Sequence, residues 1–374
     1  MHGTPRLRPG KCPGRGLGAG TALTRGARRA GGMAWEEGLP EDPDTEYVRM
    51  FNRFFTRGKM SSTYKPVFLR CLLDLGKYDA HGPNAGLPGS EWVEVDGDTV
   101  TLDLNFIAAR FIKYYWDMDH SFRLRQSSNP ADANIVQIVR DRHRLGKYSK
   151  PATLEELASA SSRAMRMDAI RSSIKPQVLK YLLTDMPGLY ARQVGSNKIR
   201  LRADLMAFLG RHRVIIKNGI NYKLATYLEK LNKTIPQIAA KLDEDSYPPR
   251  ALAGLAERAI DREQEGRCFY CDARYWEEQK RHIDHVIPFN YIFSTDAYNC
   301  VGACISCNLQ KHDRLPHPDM FSGVIARNDD LARRLLALPA PMRASFETYD
   351  RVWYERTYSA CRAEYHGDAP YFRP

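Results

Sequence analysis

No run of eighteen apolar residues occurs anywhere in the chain, so the sequence offers no helical membrane span. It has no Gly-rich phosphate-binding loop, no Ser/His/Asp arrangement that can be defended as a catalytic triad, and no internal repeat. P-loop and dinucleotide enzymes, serine hydrolases and solenoids thereby lose their sequence support. Acidic residues are absent from positions 1–32, which carry seven Lys/Arg and are rich in Gly, Arg and Pro. The same stretch lacks an apolar core, so it is not a secretory signal. No hydrophobic segment follows Arg28 and Arg29, so it is not a twin-arginine signal either. It reads either as a disordered arm that tethers nucleic acid or as upstream sequence ahead of a start at Met33. With the acidic stretch after Met33, residues 1–45 are expected to form a disordered tail, basic and then acidic.

What is present is an ordinary soluble composition, 43% hydrophobic and 27% charged, on 374 residues that suggest two or three domains. A net charge of +12 and a pI near 9.3 favour an anionic partner, nucleic acid before membrane. Eight cysteines, five of them in one short region, argue for a reducing cytoplasm and against a disulfide framework. The positive charge is unevenly placed. Residues 101–250 hold 26 Lys/Arg and 14 Asp/Glu, a surplus of +12, whereas residues 251–316 hold 8 and 10, a balance of −2. The basic half is therefore expected to hold phosphates, with Arg140, Arg142 and Arg144, then Lys198, Arg200 and Arg202, then Arg211 and Arg213 as the candidate contacts.

The chemistry concentrates between Cys268 and Arg314. Two C-x-x-C pairs, Cys268/Cys271 and Cys304/Cys307, have the spacing of a closed tetrahedral zinc site. Neither pair has the strand-to-helix setting of a thioredoxin motif, and the neighbouring Cys300 breaks the pairing and is expected to be buried and inert. Between the pairs, residues 281–287 alternate as a strand that Pro288 ends. Asp284 offers a hard oxygen suited to Mg²⁺ or Mn²⁺, and His285 beside it is the side chain whose unperturbed pKa lies nearest neutrality. A regular pleat sends these neighbours to opposite faces. Residues 305–313 read as a short helix on which Asn308 and His312 share a face, with Lys311 close by to neutralise a phosphate oxygen. His282 shares the strand face of Asp284 and is expected to pack or to touch a phosphate.

D-H-V-I-P, then Asn299, then C-x-x-C-N-x-x-K stand in order and at the usual separations, and this segment resembles the HNH endonuclease family, whose core is a ββα-metal finger. The resemblance implies His285 as the base that activates water, Asp284 and Asn308 as ligands of the catalytic ion, Asn299 as the residue holding the loop and the base, and structural Zn²⁺ on the four cysteines. His312 stands where the family's commonest pattern has Gly; some members of the wider finger class use a His there as a further ligand.

Around the finger, apolar periodicity predicts helices over residues 47–75, 104–115, 154–172, 177–183, 224–242, 251–265, 320–338 and 342–365. A β-hairpin is expected at 91–104 with Asp96-Gly97 at its turn, and a second, wing-like one over 214–222 around Asn218-Gly219. The Ser246-Tyr247-Pro248-Pro249 stretch reads as a linker. The last helix, with Phe346, Tyr349, Val352 and Trp353 at helical spacing, either clamps onto the core or forms a dimer interface. The expected fold class is α+β: a mostly helical, basic recognition region at 46–250, an HNH nuclease module at 251–316 and a helical extension at 317–374. The expected activity is metal-dependent hydrolysis of phosphodiester bonds, in DNA before RNA, in a bacterial restriction or anti-phage setting. A non-catalytic zinc-stabilised nucleic-acid-binding module, or a subunit of a larger complex, is the alternative.

Overall fold

Asp42 and Pro43 start the first helix: the Asp42 carboxylate accepts from Asp44 N, and proline in the first turn gives up a donor that would be unpaired anyway. A computed structural model describes residues 42–374 except 78–86, 130–132, 145–152, 275–280 and 368, and except the side chains at 43 and 142–144. Of the tail expected over 1–45, residues 1–41 lie outside the described residues, whereas 42–45 are not disordered but open this first helix, where Asp44 pairs with Arg211. In the helix Pro43–Arg57, Tyr47, Met50, Phe51 and Phe54 are buried at helical spacing. The chain breaks before the helix Tyr64–Leu73, so the expected single helix over 47–75 is two. Tyr64–Leu73 and Leu104–Trp116 are buried on nearly every side and form the centre of the N-terminal half. No helix among the described residues is long and apolar enough to cross a membrane.

The segment expected as a wing is instead the start of the 19-residue helix Arg213–Leu231. Ile216, Ile220 and Leu224 are buried four apart, while Val214 and Ile215 point outward, a helical and not an alternating pattern. Gly219 serves close packing rather than a turn, since a Cβ there would stand 2.6 Å from the Phe55 ring. The helix ends at Leu231, and only the short helix Ile238–Lys241 follows within the stretch expected to be helical to residue 242. Residues 154–185 form a nearly continuous helical run with wide turns around Pro176.

One antiparallel sheet lies on this helical half. Strands β1 (Val93–Asp96) and β2 (Thr99–Asp103) form the expected hairpin, with Gly97 at φ +54° opening a two-residue turn. A second hairpin, β3 (Ala191–Arg192) and β4 (Lys198–Arg202), pairs through β4 with β2, giving the order β1-β2-β4-β3. In β4 the buried residues are Ile199 and Leu201, and the three basic residues alternate with them.

Strands β5 (Arg281–His285) and β6 (Cys300–Cys304) form a separate antiparallel pair, followed directly by the helix Ile305–Lys311. The described residues from Asp42 on make one packed unit, and the 246–249 stretch does not separate two bodies. Tyr247 packs edge-on against both Phe122 and Phe293. Lys241, fully buried, donates from Nζ to Pro236 O and Tyr291 O, both at 2.6 Å. After the finger come the helices Pro318–Arg333, Ala340–Glu347 and Arg351–Cys361. The break at 348–350 resets the helical phase, so Val352 and Trp353 are exposed, and Tyr354, Tyr358 and Cys361 make the buried face.

Candidate metal centre and active site

The helix Gly254–Glu263 runs into the first knuckle, and β6 runs into the second. The Sγ atoms of Cys268, Cys271, Cys304 and Cys307 all lie within 4.8 Å of one another. Zinc–thiolate bonds of about 2.3 Å place tetrahedral sulfurs about 3.8 Å apart, and Cys271 Sγ stands 3.9 Å from Cys304 Sγ. Four soft donors at that separation fit zinc. Cys300 is fully buried and outside the cluster, and burial pushes its thiol up to about 12. Gln264 exchanges two hydrogen bonds with the Gly302 backbone, and Phe269 N donates to Gly302 O, so both knuckles are tied to β6.

The face of β5 that carries His282 and Asp284 meets the helix Ile305–Lys311. Lys311 has no exposed side-chain surface; its ammonium lies 2.9 Å from Asp284 Oδ2 and 2.7 Å from His285 O. Tyr270, from inside the C-F-Y-C knuckle, donates to the same Asp284 Oδ2 at 2.5 Å. Lys311 is therefore not placed to neutralise a phosphate, as the sequence reading expected: a long-range carboxylate has drawn it inside. One turn away, Asn308 Nδ2 lies 2.9 Å from His282 Nδ1. This pairing was not anticipated, although the two-residue step from Asp284 puts His282 on the right face. Asp284 Oδ1 and Asn308 Oδ1 have no hydrogen-bond partner among the described residues. Two oxygen donors of this kind suit a hard divalent cation completed by water.

His312 is turned away from this face. Its side chain is 82% exposed, its Nδ1 lies 2.9 Å from Asp313 Oδ1, and it caps the helix at φ +51°. A positive φ favours Gly at this position, and the expected role of His312 as a ligand has no support in its placement.

His285 lies across the pleat from Asp284, its ring 5.4 Å edge-on from Phe289. Its Nε2 is buried with no hydrogen-bond partner among the described residues. Burial first, then the charges of Lys311 and Arg250, push its pKa down to about 4, so the ring is neutral at pH 7. Asn299 is fully buried and does not reach the imidazole. Its side chain instead clamps Ile287 through N and O, both at 2.9 Å, while its carbonyl accepts from Val286 N. Asn299 thus fixes the loop directly after His285. Tyr354 Oη donates to Asn299 Oδ1 at 2.8 Å, and Arg327 Nη1 donates to Cys300 O at 2.7 Å, so the C-terminal helices buttress the same turn.

The candidate phosphate contacts are mostly occupied. Arg140 forks onto Asp119, Lys198 pairs with Glu94, Arg202 with Glu46 and Asp204, Arg211 with Asp44, and Arg213 with Leu73 O and Asp74. The side chains of Arg142 and Arg144 lie outside the described residues. Arg200 is exposed, with no ion pair among the described residues. Part of the regional surplus of charge is therefore paired with acids outside the region, Asp44, Glu46, Asp74 and Glu94.

Residues 268–314 match the family model described as HNH endonuclease. No curated protein and no solved structure matches the chain. The match supports nuclease-type chemistry in general and nucleic acid as the class of substrate, and it coincides with the four-cysteine cluster.

Proposed function

We propose that this protein is a metal-dependent endonuclease that hydrolyses phosphodiester bonds in DNA. The observation that carries the reading is the pairing, on a scaffold pinned by four thiols, of two unclaimed oxygens at Asp284 and Asn308 with a neutral imidazole at His285. His285 takes the proton of the attacking water. Asp284 is held by Tyr270 and Lys311, Asn308 is oriented by His282, and Asn299 fixes the backbone that carries the base. Mg²⁺ or Mn²⁺ bound at Asp284 and Asn308 would supply Lewis-acid stabilisation of the charge that develops on the phosphate and the leaving 3′ oxygen. The long N-terminal half joined to the finger suits target or trigger recognition in restriction or anti-phage defence in the cytoplasm, as a homodimer or with a partner protein.

A non-catalytic zinc-stabilised nucleic-acid module is the second reading, favoured by the double commitment of Asp284 Oδ2 and the buried Nε2 of His285. The two are separated by comparing wild type with His285→Ala for plasmid nicking in Mg²⁺ or Mn²⁺, with DNA binding measured in parallel. Cleavage by wild type that is lost in the variant while binding persists supports the enzyme. Binding without cleavage by either protein supports the module.

A further inference from the structure

An open groove of about 440 Å³ lies where the N-terminal half meets the finger. It falls within the roughly 300–1,000 Å³ of small-molecule pockets, which favour such junctions. Its lining is aromatic: Phe122, Tyr247 and Phe293 stand nearly perpendicular to one another, with centroids 5.1–6.2 Å apart, and Phe289 packs on Phe293 at 5.4 Å; Phe122, Phe289 and Phe293 are buried, and Tyr247, 40% exposed, is the ring with open surface. Phe289 is also the ring against which His285 rests, so the groove adjoins the proposed base. The Arg250 guanidinium lies over Phe289, 4.7 Å from its centroid, and donates to Asn290 Oδ1 at 2.6 Å.

The polar lining selects among occupants. Lys113 is paired with Asp117 on the groove, and Glu244 and Arg250 add one charge of each sign, so the lining carries no cationic surplus to hold a phosphate inside it. An aliphatic chain would leave Ser121, Asn290 and both carboxylates facing apolar surface. A flat heterocycle with amino and carbonyl edges suits both parts: the exposed Tyr247 ring and the Arg250 guanidinium for its face, carboxylate, hydroxyl and amide for its edge.

We propose that this groove receives a nucleobase of the DNA strand being cut, at a nucleotide flanking the scissile phosphate, with Tyr247 and Arg250 as its binding residues. The inference rests on the cleavage reading for its register, but the groove is tested separately. His285→Ala protein is used for binding, so that DNA is held without being cut. Affinity is measured for single-stranded and duplex oligonucleotides with either a full set of bases or one abasic site stepped along the strand. Base–aromatic stacking makes a loss of roughly ten-fold reasonable when one wall is removed. Tyr247→Leu and Arg250→Ala are each expected to weaken binding of intact DNA by about that factor and to leave unchanged the binding of DNA abasic at one particular position. Tyr247→Phe, which keeps the ring, is expected to bind like the parent, and its melting temperature reports the cost of losing the Tyr247 hydroxyl bond to Lys241 O. A 5-iodouracil placed at that same position is expected to photo-crosslink to Tyr247 or a neighbouring ring. Equal losses on intact and abasic DNA at every position, no loss on either, or crosslinks mapping elsewhere would overturn the proposal. Absence of cleavage by wild type would count against the enzyme reading alone, because the binding arm decides the groove.

Discussion

Lys311→Met removes an ammonium from the interior while keeping an unbranched stem of similar bulk. In the native protein that ammonium touches Asp284 Oδ2 at 2.9 Å and His285 O at 2.7 Å, with no side-chain exposure. Breaking one half of a buried ion pair costs about 3–5 kcal/mol, because the remaining charge is left in a medium that solvates it poorly. Tyr270 remains as a donor to Asp284, which places the expected loss toward the lower end, about 3 kcal/mol. Guanidinium unfolding of zinc-loaded protein measures it. Asp284→Asn in the same background should restore part of the loss, since an amide needs no counter-charge. Magnesium provides the second measurement: with the resident cation gone, a divalent ion bound at Asp284 should raise the melting temperature of Lys311→Met more than that of wild type, by mass action. A loss under about 1 kcal/mol, or no recovery in the double variant, would refute the claim that Lys311 and Asp284 form a buried ion pair. Equal response to magnesium would remove Asp284 from the ion site.

Wild type should carry one zinc per chain by elemental analysis, and Cys268→Ser should lose it along with the cooperative melting of the finger; full retention of zinc by the variant would contradict the four-thiolate site. His285 is expected to give cleavage an acid limb near pH 4 instead of near the 6.5 of an unperturbed imidazole, and a limb at 6.5 would mean that desolvation and the Lys311 and Arg250 charges do not depress the ring. The same depression makes the unfolded chain the better proton binder between those values. Stability should therefore fall as pH drops from 6.5 to 4, by at most about 3 kcal/mol for a difference of 6.5 − 4 = 2.5 units, and urea titrations of His285→Ala should lack that component. His282→Ala should raise the Mg²⁺ or Mn²⁺ concentration for half-maximal cleavage roughly ten-fold without loss of zinc; an unchanged requirement would free Asn308 from dependence on His282.

The zinc knuckles and the D-H strand could be read from sequence because their geometry is local: C-x-x-C fixes two donors on one knuckle, and a two-residue period fixes a strand face. The family match over 268–314 falls on the same residues. What misled was long-range. Lys198, Arg200 and Arg202 do share the outward face of a strand whose buried residues are Ile199 and Leu201, but the partners of Lys198 and Arg202 include Glu94 and Glu46, more than a hundred residues away. Arg211 looked free because its partner Asp44 lies 167 residues away. Asn218-Gly219 carries turn chemistry, but Ile216, Ile220 and Leu224 outweigh it once Phe55 needs room against a glycine. His312 shares a helical face with Asn308 only if the helix continues, and it stops at Lys311. The roles of Lys311 and His282 required coordinates, since neither partner is a sequence neighbour.

The Tyr354 hydroxyl on Asn299 and the Lys241 ammonium on Tyr291 O bind a fifty-residue motif to chain on either side of it. A fragment trimmed to the motif would strip a donor from Asn299 and uncover Tyr291, so the behaviour of such a fragment would say nothing about the intact protein. Swapping this motif into another protein would therefore have to carry both flanks, which makes the unit of exchange far larger than the stretch that the family model matches.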